Sequence, residues 1–376
     1  MRRYSLGNRM IHFFPRFYHD AEATPFGAAL REIGAPYRII SANVSMHYRS
    51  RVALLLLGYP KLIWATARAA RRSLFDRDAP PDAVVVSSDV EVLVFALIRL
   101  LPFAARPRII FLPFIYTQRA NPWANRARLA YYRFVVRRIS RAICHSRLEC
   151  DRYRALFAGC GAEFVFVPWG AYVPPAAHLH APARQGQAEG LPVVVAAGRS
   201  GRDYRTLVAA AERLPCRVVI ICNALTALAD VHESERVQIV RDAFHDDYLR
   251  RLAGADIVVL PLQVDDISAG QMVLVEALSF ARPLIVTRTP TIEEYVDDGD
   301  TALLVPRGDV AALEGAIRRL LDSPAEAAAM GQRGCAAYHA RFSLLTHMRA
   351  LIAAIGGESA GGAAQVNTNP ASTGST

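Results

Sequence analysis

Glu276 sits in the apolar run Met272, Val273, Leu274, Val275, Ala277 and Leu278. A lone charge is costly to bury there and needs a partner. Just ahead of it, the small residues Ser268, Ala269 and Gly270 open the helix that carries this carboxylate, followed by Gln271 and Met272. A start of that kind leaves backbone N–H groups and the positive end of the helix dipole free to hold an anion such as a diphosphate. Upstream, Arg199 and Arg202 follow the apolar run Val193–Ala197, and two arginines at a strand's carboxyl end favour an anion site. Together these residues suit the binding of a diphosphate between backbone amides and fixed guanidinium groups.

Such a constellation needs a frame that gathers strand ends and helix starts. Residues 193–197, 217–222, 237–240, 257–260, 284–286 and 302–305 read as short apolar strands. Helical stretches alternate with them, clearest where Val310, Leu313, Ile317, Leu320 and Leu321 recur at spacings of three and four. Continuous apolar strands belong in a parallel sheet covered on both faces, so a doubly wound α/β domain is expected. In the first half, residues 37–41, 83–87, 108–112, 141–145 and 164–168 suggest a second one. A chain of 376 residues suits two such domains. The expected division is 1–173, a linker at 174–192 rich in proline, alanine and polar residues, 193–341, a C-terminal helix at 342–355, and a low-complexity tail at 356–376 expected to be disordered.

Charge is unevenly shared. Residues 1–173 hold 26 Lys+Arg against 11 Asp+Glu, a net of +15, and the remainder holds 18 against 23, a net of −5. A basic half suits a diphosphate-bearing substrate, an anionic membrane surface or nucleic acid, and equally an arginine-rich solvated surface. Nucleic acid is the weakest of these, because no aromatic-interleaved basic stripe or recognisable binding motif accompanies the charge. No apolar run reaches membrane-spanning length, and the basic N-terminus lacks the continuous apolar core of a secretory signal. A cytoplasmic protein is expected, with peripheral contact at the inner face of the membrane as an option. Residues 52–72 carry that option: they combine leucines, Tyr59, Trp64, Lys61, Arg68, Arg71 and Arg72, and read either as an interfacial segment on anionic lipid or as a core helix with basic ends. The six cysteines show neither paired spacing nor histidines at zinc-ligand distance, so no metal site is expected.

The stretch from Asp256 to Pro306, the turn AGRSGRDYRTLVAA at 197–210, DDYLRRLAGADIVVLP at 246–261, and RAICHSRLECDRY with FVFVPWGAYVP at 141–174 together resemble the large retaining, family 4-like group of GT-B glycosyltransferases that includes sucrose and bacterial polysaccharide and glycolipid enzymes. The resemblance is good from about Arg141 to Phe342 and weak before it. It implies two Rossmann-like domains facing across a cleft, the C-terminal one holding a nucleotide-sugar donor (a UDP- or GDP-sugar) and the N-terminal one a saccharide, lipid-linked or small-molecule acceptor. Transfer with retention and without metal is implied, together with a place in polysaccharide biosynthesis. Arg199 and Arg202 would stabilise the departing diphosphate. Ser268, Ala269, Gly270, Gln271 and Met272 would line it with backbone donors, and Glu276 would accept hydrogen bonds from the ribose hydroxyls. Asn223 and Phe244 are included among the donor-binding residues.

This sequence departs from the family pattern in three places. Paired glutamates eight positions apart become Ser268 and Glu276, an arginine and lysine five apart become Arg199 and Arg202, and the glycine-rich turn after the first strand is missing, since residues 11–27 contain only Gly27. A Ser-x-Gly-Gln turn, here Ser268, Gly270 and Gln271, resembles that of a bacterial subgroup in which neutral donors replace the first carboxylate. The departures keep two other readings open: a catalytically inactive nucleotide-sugar sensor or partner subunit, and a nucleotide-sugar epimerase. Glu276 also reads as a carboxylate pairing inside a helix bundle, His19 and His145 as structural histidines, and Glu293 with Glu294 as a solvated helix start stabilised by the dipole.

Overall fold

The computed structural model describes residues 9–15, 23–41, 44, 52, 54–174, 190–199, 201–223, 226, 228, 231–243, 246–264 and 267–357. His19, Phe244, most of the expected linker and nearly all of the expected tail lie outside them.

The first half contains β1 (Ile11–Phe13), α1 (Pro25–Ile33), β2 (Tyr37–Ile39), α2 (Tyr59–Leu74), β3 (Ala83–Val86), α3 (Asp89–Ile98), β4 (Arg108–Phe111), α4 (Pro122–Val136), β5 (Arg141–Cys144), α5 (Arg147–Leu156) and β6 (Glu163–Phe166). Its six parallel strands lie in the order β2-β1-β3-β4-β5-β6. The second half contains β7 (Val193–Ala197), α6 (Tyr204–Ala211), β8 (Arg217–Cys222), β9 (Val237–Arg241), α7 (Asp246–Ala253), β10 (Ile257–Leu260), α8 (Gln271–Ser279), β11 (Leu284–Thr287), β12 (Leu303–Val305), α9 (Val310–Asp322), α10 (Pro324–Ala337) and α11 (Leu344–Gly356). Its sheet is also parallel, in the order β12-β11-β10-β7-β8-β9.

The central strands β3, β7, β10 and β11 are buried at every residue, as expected of parallel strands covered on both faces. The strand order reverses between β7 and β10: β8 and β9 are added on one side of β7, and β10 to β12 on the other. In open α/β sheets such a switch point opens a crevice at the carboxyl ends of the strands where ligands bind. The turn holding Arg199 and Arg202 leaves β7, and the loop reaching Ser268 leaves β10, so the topology alone directs both to that crevice.

The chain does not finish where its second sheet does. Met348, Leu351, Ile352 and Ile355 of α11 pack with Ile11, Phe13, Leu30, Val85 and Ile143, covering one face of the first sheet. At the crossing, the Ala171 N–H donates to the Phe342 carbonyl at 3.1 Å, and the Tyr338 hydroxyl donates to the Ala171 carbonyl at 3.0 Å. Gly170 permits this approach, since a Cβ there would lie 2.3 Å from the Cβ of His347.

Residues 52–72 show elements of both earlier readings. Leu62, Thr66, Ala69, Ala70 and Leu74 of α2 are buried, while Leu55, Leu56, Leu57, Ile63 and Trp64 are exposed. Among the described residues, no helix is long and apolar enough to cross a membrane.

Candidate functional site

Two loops are fastened together at the crevice of the second sheet. The Gln263 N–H donates to the Gly201 carbonyl at 2.9 Å, and the Asp203 N–H donates to the Pro261 carbonyl at 3.0 Å. Gly198 adopts φ +124°, and a Cβ on it would meet the Arg202 guanidinium at 2.4 Å. Glycine therefore lets Arg202 fold back over the main chain, where its Nε donates to the Ala197 carbonyl at 2.9 Å. Burial lowers the pKa of this guanidinium, opposed by the nearby Tyr204 and Tyr248. Arg199, three residues earlier in the turn that leaves β7, is exposed.

Glu276 lies in the second turn of α8, buried as its apolar neighbours require. Its partner comes from α7: the Tyr248 hydroxyl donates to Oε2 at 2.5 Å. Burial pushes the Glu276 carboxyl up to about 7 even though the tyrosine hydroxyl pulls the other way. Tyr248 is itself raised well above its ordinary value by burial and then by Glu276, with Arg202 opposing. Glu276, Tyr248 and Arg202 are thus electrostatic neighbours in one cluster.

At the start of α8, Gly270 adopts φ +93°, and a Cβ there would press to 2.8 Å from the Leu260 side chain. Having no side chain, it cannot cap the helix. Ala269 and Gln271 are buried, Met272 is exposed, and the Gln271 Nε2 meets no acceptor among the described residues. Asn223 stands at the end of β8, where its Oδ1 accepts from the Thr226 hydroxyl at 2.6 Å. No group of three His, Cys, Asp or Glu among the described residues could hold a metal ion.

Ser268 does something its sequence context did not suggest. Its N–H donates to Oε1 of Glu149 at 2.8 Å and its hydroxyl donates to Oε2 at 2.6 Å. Glu149 belongs to α5 of the first half and is 1% exposed. Burial raises its carboxyl pKa, and the Ser268 hydrogen bonds oppose that rise. The reverse contact is made by Glu294. It is not part of a solvated helix start, because residues 291–295 form turns. Its carboxylate accepts from the Ser146 hydroxyl at 2.7 Å and from the backbone N–H groups of Arg147 at 2.8 Å and Leu148 at 3.2 Å. Those are donors at the N-terminus of α5, where an anion is favoured by both the open N–H groups and the dipole.

Ser146 and Glu149 have the Ser-x-x-Glu spacing of a capping box, which ordinarily closes on its own helix. Here Ser146 makes no such cap, and both side chains reach across to the second half. The spacing was visible in the sequence, but it signals a local contact. Next to Glu294, the buried Tyr295 hydroxyl donates to the His145 carbonyl at 2.7 Å and accepts from the Trp169 N–H at 2.8 Å. His145 itself is fully buried, pushed down to about 4 by that burial, with Nδ1 2.9 Å from the Val167 carbonyl. That is a structural histidine.

Known proteins resemble this chain in its second half and in its fold. Residues 191–323 match the family model described as Glycosyl transferases group 1. The Alpha-D-kanosaminyltransferase of Streptomyces kanamyceticus is 26% identical over 110 residues, 29% of this chain, and the chain spans only 28% of that protein's length in the match. Among solved structures, sucrose-phosphate synthase from Thermosynechococcus elongatus superposes with a TM-score of 0.64 at 19% identity, covering 92% of this chain and 100% of the other. Anabaena HepE in complex with UDP-glucose gives 0.60 at 16% identity, covering 92% and 98%. The chain thus has the two-sheet GT-B fold of these structures, and the part of it similar to the group 1 glycosyl transferases is the second sheet with its helices.

Proposed function

We propose that this protein is a glycosyltransferase that moves a sugar from a nucleotide diphosphate sugar to an acceptor. The second half would bind the donor and the first half the acceptor. The observation that carries this reading is the Glu276–Tyr248–Arg202 cluster beside an uncapped helix start, at the switch point of a parallel sheet. In this reading the diphosphate rests on the amides at the start of α8, with Arg199 and Arg202 facing its charge, and Glu276 takes the ribose hydroxyls. Gln271, with its unmatched Nε2, offers one more donor. Solved relatives in complex with UDP-glucose and with UDP-2-fluoro glucose support a uridine nucleotide as the first donor to try.

Transfer would break the bond from the anomeric carbon to the diphosphate oxygen and form one to the acceptor oxygen. With retention of configuration, the acceptor proton passes to a donor phosphate oxygen, and no separate strong base is required. Such a route asks of this chain's own residues only that they hold the diphosphate and exclude water, without a metal.

A panel of UDP-, GDP-, ADP- and TDP-sugars tests the reading by thermal shift. One member should raise the melting temperature, because a ligand bound only to the folded state stabilises it by mass action. Arg199→Ala should then lower turnover about tenfold or more with a smaller change in donor affinity, as expected for a charge used mainly in the transition state. A protein indifferent to every nucleotide sugar would refute the assignment. Tight binding without transfer or hydrolysis would favour the sensor reading, and conversion of the sugar without acceptor the epimerase.

A lipid-linked acceptor at an anionic membrane is the finer form of this proposal. It is supported by Leu56, Trp64, Leu100, Phe103 and Trp123, all exposed on the first half, with Arg68 over the Trp64 ring at 5.7 Å and Arg126 over the Trp123 ring at 5.2 Å. Co-flotation with vesicles containing anionic lipid, and not with neutral ones, is the expected result. Failure to float with either removes the membrane from the proposal.

A further inference from the structure

We infer that Glu149 is a positioning residue for the donor loop, acting from the opposite side of the cleft; the inference rests on the donor site proposed above. The loop between β10 and α8 is secured to its own sheet at one end, where the Leu262 N–H donates to the Thr287 hydroxyl at 2.9 Å and the Gln263 N–H donates to Gly201. At the other end, two residues before the left-handed Gly270, both contacts of Ser268 go to Glu149. Charge-assisted hydrogen bonds are stronger than neutral ones, and a carboxylate taken by two donors in fixed directions specifies orientation as well as distance.

Glu149 is equally constrained on its own side. It stands in the first turn of α5, is almost fully buried, and has the His145 backbone as a further hydrogen-bond partner. A rigid helix of the first half therefore sets the angle at which the α8 amides face the crevice. The carboxylate missing from position 268 of the loop is supplied by the facing helix, where it holds the loop in place. Donor-site geometry is then complete only while the two halves are closed on each other, a form of assembly on closure.

The test compares Glu149→Gln, Glu149→Ala and Glu276→Ala with the wild type, using amide hydrogen exchange of the nucleotide-free protein and calorimetric titration with UDP, GDP, ADP and TDP. Glu149→Gln keeps the volume and one acceptor oxygen, so it should fold even if the alanine variant does not. Exchange in the segment 267–274 should rise about tenfold in Glu149→Gln, and affinity for the nucleotide that the wild type binds should fall by about the same factor, the effect of one charge-assisted hydrogen bond. Exchange in β10 and the body of α5 should be unchanged, and Glu276→Ala should keep wild-type protection of the loop. Unaltered loop exchange would overturn the inference, and so would raised exchange with wild-type affinity, which makes the contact merely structural. Tighter nucleotide binding in Glu149→Gln would also overturn it, since the carboxylate would then be competing with phosphate. A wild type that binds none of the four nucleotides refutes the proposed function, while the exchange measurement still decides whether Glu149 fixes the loop.

Discussion

On the proposed assignment, Glu276→Ala should weaken binding of the nucleotide-sugar donor about a hundredfold while the protein still folds. Hydrogen bonds from two ribose hydroxyls to an ionised acceptor in a buried site are together worth about 3 kcal/mol, which corresponds to that factor. The fold survives because the substitution removes a carboxylate whose own burial is unfavourable, against the loss of one hydrogen bond from Tyr248. Titration calorimetry with the donor found in the thermal-shift panel measures the loss directly. Wild-type affinity in the variant would mean that Glu276 serves only to partner Tyr248.

The same residue predicts a pH dependence whose sign is fixed. In the folded chain Glu276 titrates near 7, above its ordinary value of 4.5, so the folded state holds a proton that the unfolded state gives up earlier. Its contribution to stability is fully present below pH 4.5 and is lost as pH rises to about 7, amounting to roughly 3 kcal/mol across that window. Wild-type stability should therefore decline between pH 5 and 7 relative to Glu276→Ala. Donor binding to the ionised carboxylate should release a proton near pH 6.5, visible as a dependence of the calorimetric heat on the buffer. Parallel stability curves for the two proteins would show that the carboxyl titrates in its ordinary range.

Tyr295→Phe should cost about 3 kcal/mol of stability, because it preserves the ring while taking one partner each from the His145 carbonyl and the Trp169 N–H inside the protein. Its ring stacks on Phe342 at 5.1 Å and is retained in the variant, so the loss reports the hydroxyl alone. Urea denaturation gives the magnitude. A midpoint indistinguishable from wild type would show that the two halves do not share this contact in solution.

The central strands were legible for one physical reason: a parallel strand covered on both faces must be apolar throughout, as Ala83–Val86, Val193–Ala197 and Ile257–Leu260 are, whereas β1 (Ile11–Phe13), only three residues long, is missing from the strands read in the sequence. Glu276 was legible because a charge among leucines and valines has few explanations. The departure from glutamate at position 268 could be read as well, but what replaced it could not. Glu149 is 119 positions from Ser268, and Glu294 is 148 from Ser146, and no local pattern links residues that meet only after two sheets have folded. The Ser-x-x-Glu spacing even pointed inward to its own helix. The docking of α11 was hidden for a similar reason, since an apolar helix advertises that it will be buried but not against which sheet.

The return of α11 restricts how the molecule can open. The polypeptide passes between the two sheets near Ala171 and again near Ser343, and these two passages are bridged to each other. A body fastened at two neighbouring points swings about the line through them as a door does and resists sliding in its frame. Each opening would then be followed by closure along the same arc, returning the Glu149 carboxylate to the same serine.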